Sequence, residues 1–204
     1  MITIVDYGLG NIAAFANVYK RMNVPAKVAR TAAELEDAER IILPGVGAFD
    51  HAMALLDASG MRGTLEDHAT QRGTPVVGVC VGMQILAESS EEGERAGLGL
   101  VPARVRHFSA APQTAGLPLP HMGWNDVRPV PGQPLFAGLE QDARFYFLHS
   151  FFVECERAED VAATADYGFA FGCAFRHGNV FGVQFHPEKS HHFGAALLRT
   201  FAQV

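Results

Sequence analysis

Short apolar runs alternate with longer mixed stretches through the first eighty residues, a rhythm that predicts strands separated by helices. Met1–Val5 reads as a strand, followed by the turn Gly8-Leu9-Gly10 and a helix from Asn11 to Met22. Ala26–Ala29 is a second strand, Glu34–Ala38 a short helix, and Ile41–Leu43 a third strand ending at Pro44-Gly45-Val46-Gly47. Helices over Ala48–Asp57 and Met61–Arg72 precede a fourth strand, Val76–Val79. Strands joined by helices must cross over to pair in parallel, which covers the sheet on both faces.

The second half changes rhythm. Val101–Phe108, Trp124–Val130, Phe145–Cys155, Ala170–Arg176 and Val180–Phe185 read as strands joined by proline and glycine turns. Ser190–Ala202 reads as a closing helix. Ala110–Pro120 holds three prolines and no periodicity, so a surface loop is expected there. The expected class is α/β, a mostly parallel central sheet with flanking helices and further strands in the second half. With no repeat and no second apolar core, one domain over residues 1–204 is expected.

Composition narrows the function. The chain is 49% hydrophobic and 19% charged, enough to build a substantial core. A formal net charge of −6 argues against nucleic-acid binding, which needs a surplus of Lys and Arg. The first residues lack a basic segment and a long apolar run, and no stretch reaches transmembrane length, so a cytoplasmic protein without membrane contact is expected. Cys80, Cys155 and Cys173 are an odd count without metal-type spacing and read as free thiols. No metal or cofactor is called for.

One of these cysteines stands apart. Gly78-Val79-Cys80-Val81-Gly82 lies between the strand ending at Val79 and the helical pattern starting near Met83. A Gly-x-nucleophile-x-Gly segment at a strand-to-helix junction is a nucleophile elbow, and glycine neighbours let strand and helix pack closely. Its sulfur is expected at a helix N-terminus, where the dipole favours thiolate. A thiolate nucleophile needs a base, and the base needs an orienting group. Phe185-His186-Pro187-Glu188 follows the last strand, and Pro187 biases His186 toward extended backbone, with His186 and Glu188 on one side. Alone, the pair would read as a strand-ending histidine and a surface glutamate. Beside an elbow cysteine it reads as a Cys-His-Glu triad. Gly45, Val46 and Gly47 then suit an oxyanion hole shared with the amide of Val81; without the elbow they would be an ordinary βα turn.

Together these motifs resemble the class I, triad-type glutamine amidotransferases, and within them the glutaminase subunits of imidazole glycerol phosphate synthase. The likeness covers essentially the whole chain, through Asp6-Tyr7-Gly8-Leu9-Gly10-Asn11, Pro44–Phe49, Gly78–Gln84, Ser90–Glu92, Gly97–Leu100, Pro120-His121-Met122-Gly123-Trp124-Asn125 and Gln184–Ser190. The resemblance implies a flavodoxin-like fold. It also implies that Cys80 is the nucleophile, His186 the general base and acid, and Glu188 the orienting carboxylate. Gly47, Gln84, Glu92, His149, Ser150 and Phe151 match positions that contact glutamine, with Phe151 standing where tyrosine is common. Asn11, Trp124, Tyr146 and Lys189 match positions facing a (β/α)₈-barrel cyclase subunit, the implied heterodimer partner, which receives ammonia in histidine biosynthesis. Read from residues alone, His149 is a structural histidine in an aromatic strand and Trp124 fits a core as well as an interface. Three alternatives stay open: another triad glutaminase, a non-catalytic subunit that keeps the elbow only as a turn, and a Cys-elbow peptidase or stress protein.

Overall fold

The computed structural model describes residues 1–204 and is built on a central eight-stranded sheet. Its first half follows the alternation in the sequence: β1 Ile2–Val5, α1 Ile12–Arg21, β2 Ala26–Ala29, α2 Ala32–Leu35, β3 Ile41–Leu43, α3 Phe49–Ser59, α4 Arg62–Thr70 and β4 Val76–Val79. After β4 come α5 Val81–Gln84, β5 Ser89–Ser90, β6 Ala103–His107, β7 His121–Asp126 and β8 Arg128–Pro129. The remainder is β9 Arg144–His149, β10 Phe151–Cys155, β11 Val161–Asp166, β12 Ala170–His177, β13 Val180–Val183 and α6 His191–Phe201. No helix is long and apolar enough to cross a membrane.

The central sheet runs β2-β1-β3-β4-β13-β12-β11-β8. Pairing is parallel from β2 through β13 and antiparallel from there to β8. Strands β1, β3, β4 and β13 are buried at every position, which is why they read as apolar runs, broken only by Thr3, rather than alternating ones. Alternate residues feed two cores. Ile2, Ile4, Ile42, Val77 and Val79 face α1 and α6, packing with Phe15, Tyr19, Leu198 and Phe201. Val5, Ile41, Leu43 and Val76 face α3 and α4, packing with Phe49, Met53, Leu56 and Leu65.

The second half departs from the sequence reading in three places. The run Phe145–Cys155 is two strands rather than one: β9 pairs with β7 as an antiparallel ribbon, and β10 joins β6 and β5 in a separate three-stranded sheet, the break falling at Ser150. Trp124–Val130 divides likewise at Val127 between β7 and β8. Strand β11 leaves no apolar run in the sequence because its buried positions are alanines, Ala162, Ala163 and Ala165. The Ala110–Pro120 segment is irregular, as expected, apart from 3₁₀ turns; Thr114 is buried and donates from Oγ1 to the Phe108 carbonyl at 2.6 Å.

Three neighbouring strands, β3, β4 and β13, end together. Pro44–Gly47, the Cys80 turn and Gln184–Glu188 are therefore brought to one edge of the sheet, outside the carboxyl ends of its strands, where open α/β sheets bind ligands.

Candidate active site

The elbow is set by backbone geometry. Cys80 has φ 56° and ψ −117°, a conformation that costs a non-glycine residue about 1–3 kcal/mol. The Cys80 N–H is tied to the Val183 carbonyl at 2.9 Å, which anchors the turn to β13. The flanking glycines answer a demand for space. A Cβ on Gly78 would lie 2.4 Å from the Gly82 carbonyl oxygen, and one on Gly82 would lie 2.0 Å from that of Leu43. The helix that follows is shorter than the sequence suggested. With one turn of α5, the dipole has little to offer the sulfur.

His186 leaves β13 in an extended conformation, and its N–H donates to the Tyr146 carbonyl at 2.9 Å. Ser190 Oγ locks the turn, donating to the His186 carbonyl at 2.6 Å and accepting from the Tyr146 N–H at 3.0 Å. His186 Nδ1 lies 3.0 Å from Glu188 Oε1, so Nδ1–H donates to the carboxylate and Nε2 is left for the sulfur. Burial opposes the imidazolium, but hydrogen bonds and opposite charge from Cys80 and Glu188 outweigh it, raising His186 to about 9. The Glu188 side chain is almost wholly buried, and its Oε2 has no partner, so this carboxylate acts on His186 alone.

A residue that sequence reasoning left without a role also reaches the sulfur. Gln184 is fully buried and aims Nε2–H at Cys80 Sγ over 3.8 Å, while its Oε1 accepts from Gln84 Nε2 at 3.0 Å. Its position directly before Phe185-His186-Pro187-Glu188 was the available signal. A glutamine between Val183 and Phe185 breaks an otherwise apolar strand end without any solvent to justify it.

Cys80 and His186 open onto a cavity of about 410 Å³, a size suited to a small metabolite. Gly47, Gln84, Glu92, His149, Ser150 and Phe151 all line it, as do Val46, Val81 and Lys189. Gly45 does not. It lies beneath, where a Cβ would sit 2.5 Å from the Gly82 nitrogen. Gly47 takes φ 96° with open space around it, so glycine is needed there for conformation and not for room. Glu92 accepts the Phe49 N–H at 2.8 Å, which spends one carboxylate oxygen on the start of α3. His149 is buried with both ring nitrogens occupied, Nδ1 by the Phe151 carbonyl and Nε2 by His121, so its ring has no free nitrogen for a ligand.

The β7–β9 ribbon roofs the site. Its inner positions include His121, Phe145, Phe147 and His149; its outer face shows Met122, Trp124 and Leu148 at 64%, 41% and 37% exposure. Trp124 is thus outside the core, stacked flat on His191 at 5.3 Å and edge-on to Tyr146. Lys189 Nζ stands 5.8 Å over the Tyr146 ring, so three of the four residues expected at a partner face form one patch beside the cavity. Asn11 is exposed on a separate turn, next to Gly10, which abuts Pro44. Cys173 is fully buried and Cys155 half-buried; burial pushes the Cys155 thiol up to about 12, so neither competes with Cys80 as a nucleophile.

Comparison with known proteins agrees with this geometry. The family profile described as "Glutamine amidotransferase class-I" matches residues 3–203. The "Imidazole glycerol phosphate synthase subunit HisH" of Bdellovibrio bacteriovorus is 61% identical over 204 residues, covering all of both chains. The protein of the same name from Leptospira interrogans is 50% identical, again over all of both. A solved glutamine amidotransferase superposes with a TM-score of 0.77 at 20% identity, over 100% of this chain and 99% of that one. The structure of PurLQS from Thermotoga maritima gives 0.73 at 18% identity, over 99% and 97%. At those identities the structural matches speak for the fold.

Proposed function

We propose, from the premise that the chain belongs to the class I glutamine amidotransferase family, that it is the glutaminase subunit of an imidazole glycerol phosphate synthase. The observation that carries the reaction is Cys80 and His186 on the wall of a cavity sized for an amino acid, with Glu188 buried behind the histidine. Full-length identity to subunits of that synthase supports the pathway, and their description as subunits supports a partner.

In this reading the Cys80 thiolate attacks the side-chain amide carbon of glutamine. A carbon–sulfur bond forms, and the oxygen takes the negative charge, held by amides of the Gly45–Gly47 loop and Val81. His186 gives its Nε2 proton to the nitrogen as the carbon–nitrogen bond breaks, releasing ammonia and leaving a γ-glutamyl thioester. Water then attacks the thioester while neutral His186 takes its proton, and glutamate leaves as the thiolate re-forms. Glu188 holds the ring in the required tautomer and stabilises each imidazolium stage. Glu92, with one oxygen still free of Phe49, is suited to the α-ammonium of glutamine. Ammonia would pass to a (β/α)₈-barrel cyclase docked on the Trp124–Tyr146–Lys189 patch, with Asn11 at the rim, as a heterodimer.

Measuring glutamate release by this chain, alone and with such a cyclase plus its nucleotide ligand, tests both halves. Weak release alone and strong stimulation in the complex is the expected outcome. Robust release that ignores the cyclase would contradict the pathway, and none in either condition would contradict the reaction.

Two further outcomes follow from the site. Gln184→Met removes the N–H aimed at the sulfur and strands Gln84, so stimulated turnover should fall roughly 10- to 100-fold, the scale of one hydrogen bond to a charged group. A raised histidine pKa means its imidazolium contacts are complete below 6.5 and lost as pH climbs through about 9. Glutamate release should therefore hold across neutral pH and drop by about tenfold per unit above that point, because the leaving nitrogen loses its proton donor. A pH–rate profile still rising past pH 10, on the order of one unit beyond His186, would remove His186 as the acid.

A further inference from the structure

A buried histidine pair links the rim of the β7–β9 ribbon to the cavity wall. His121 and His149 are direct cross-strand partners, and their ring nitrogens meet at 2.9 Å, Nδ1 of His121 to Nε2 of His149. The protons can be assigned from both ends. The Phe151 carbonyl, 2.7 Å from His149 Nδ1, can only accept, so Nδ1 carries the proton and Nε2 is bare. His121 must then donate from Nδ1, leaving its own Nε2 as an acceptor.

The other end agrees. Asn125 Oδ1 accepts the Asp126 N–H at 2.8 Å, which fixes its amide orientation. Its two N–H groups go to the Asp166 carbonyl at 2.8 Å and to His121 Nε2 at 3.2 Å. The chain Asn125 to His121 to His149 to Phe151 runs in one direction with every polar atom used. The His121 ring is also held between Tyr167 at 4.2 Å and Phe147 at 4.9 Å, both nearly parallel to it. Burial depresses His121 to about 4 and His149 to about 3, so both rings are neutral and the chain persists at physiological pH.

We infer that His121 is a positioning residue for the glutamine cavity, acting through His149 to fix the Ser150–Phe151 wall. The bond from His149 to the Phe151 carbonyl spans Ser150, where the chain leaves the ribbon for β10, and both Ser150 and Phe151 line the cavity. His121 selects the His149 tautomer that makes this bond, the less common of the two in water. The inference rests on the assignment of that cavity to glutamine.

The test uses saturable labelling of Cys80 by diazo-oxo-norleucine, with iodoacetamide as a small electrophile that needs no amino-acid pocket. His121→Leu should raise the half-saturating concentration of the glutamine-like reagent about tenfold, the worth of one hydrogen bond, without changing the iodoacetamide rate. His121→Asn keeps a donor where Nδ1 stands and should restore the half-saturating concentration to within about twofold of the parent, a small fraction of one hydrogen bond. Nitrogen NMR of the imidazoles should show His149 protonated on Nδ1 in the parent and in His121→Asn. An Nε2-protonated His149 in the parent, or unchanged half-saturation in His121→Leu while the parent saturates, would overturn the inference alone. Parent labelling that does not saturate would overturn the glutamine assignment and the inference with it.

Discussion

Replacing Cys80 with alanine should abolish glutamate release, by on the order of 10⁶-fold, the scale on which a triad nucleophile acts. The fold should survive. Alanine keeps the Cβ, so the strained φ of 56° costs the same as before, and what is lost is the sulfur's interaction with His186 and its weak contacts to Gln184 and the Leu148 carbonyl. Synthesis by the complex from added ammonia should continue, because the variant leaves the Trp124–Tyr146–Lys189 patch untouched. That split is what distinguishes a nucleophile from a structural turn residue. Retained glutamate release would show that Cys80 does not carry the reaction.

The second large effect is structural. Gly82→Ala would drive a Cβ to 2.0 Å from the Leu43 carbonyl oxygen and 3.1 Å from the Pro44 carbonyl carbon, both backbone atoms with nowhere to go. Either the elbow or the end of β3 must shift. Overpacking of this kind costs about 1–3 kcal/mol, read as a melting temperature lower by about 2–4 °C for each kcal/mol in a chain of this size. Catalysis should suffer more than stability, because the same shift moves Pro44–Gly47 relative to Cys80, and about 1 Å of misplacement can cost on the order of a hundredfold. Gly47→Ala is the informative contrast. It meets no atom, so it carries only backbone strain, and its melting temperature should stay closer to the parent. Equal losses in the two variants would refute the packing account of the elbow.

The parallel half of the fold was legible because burial on both faces of β1, β3, β4 and β13 leaves Thr3 as the one polar position in the runs. The antiparallel half was less so. Nothing in Phe145–Phe152 marks Ser150 as the point where one strand leaves the ribbon and another begins, since both sides are aromatic and mostly buried. The alanines of β11 carry too little surface to signal a strand. In the site, Cys80, His186 and Glu188 could be read because each sits in a motif whose backbone demands, glycine at Gly82 and proline at Pro187, are written beside it.

The positions of Gln184 and His121 are marked by the motifs they stand in, but what each one does there could not be read, for a different reason. Their roles depend on partners far along the chain, Cys80 and Gln84 for one, His149 and Asn125 for the other, and no local pattern encodes those meetings. His149 shows the limit from the other side. The family likeness put it at the glutamine cavity, where it is found, but only the hydrogen-bond geometry shows that both its ring nitrogens are already engaged within the protein.

The central claim is a covalent one, and the intact mass of the protein during turnover tests it most directly. Rapid acid quenching of the cyclase complex with glutamine should yield this chain carrying one γ-glutamyl group, located on the peptide containing Cys80 and absent from Cys80→Ala. Glutamate released at full rate with no such adduct, or an adduct on Cys155 or Cys173, would contradict it.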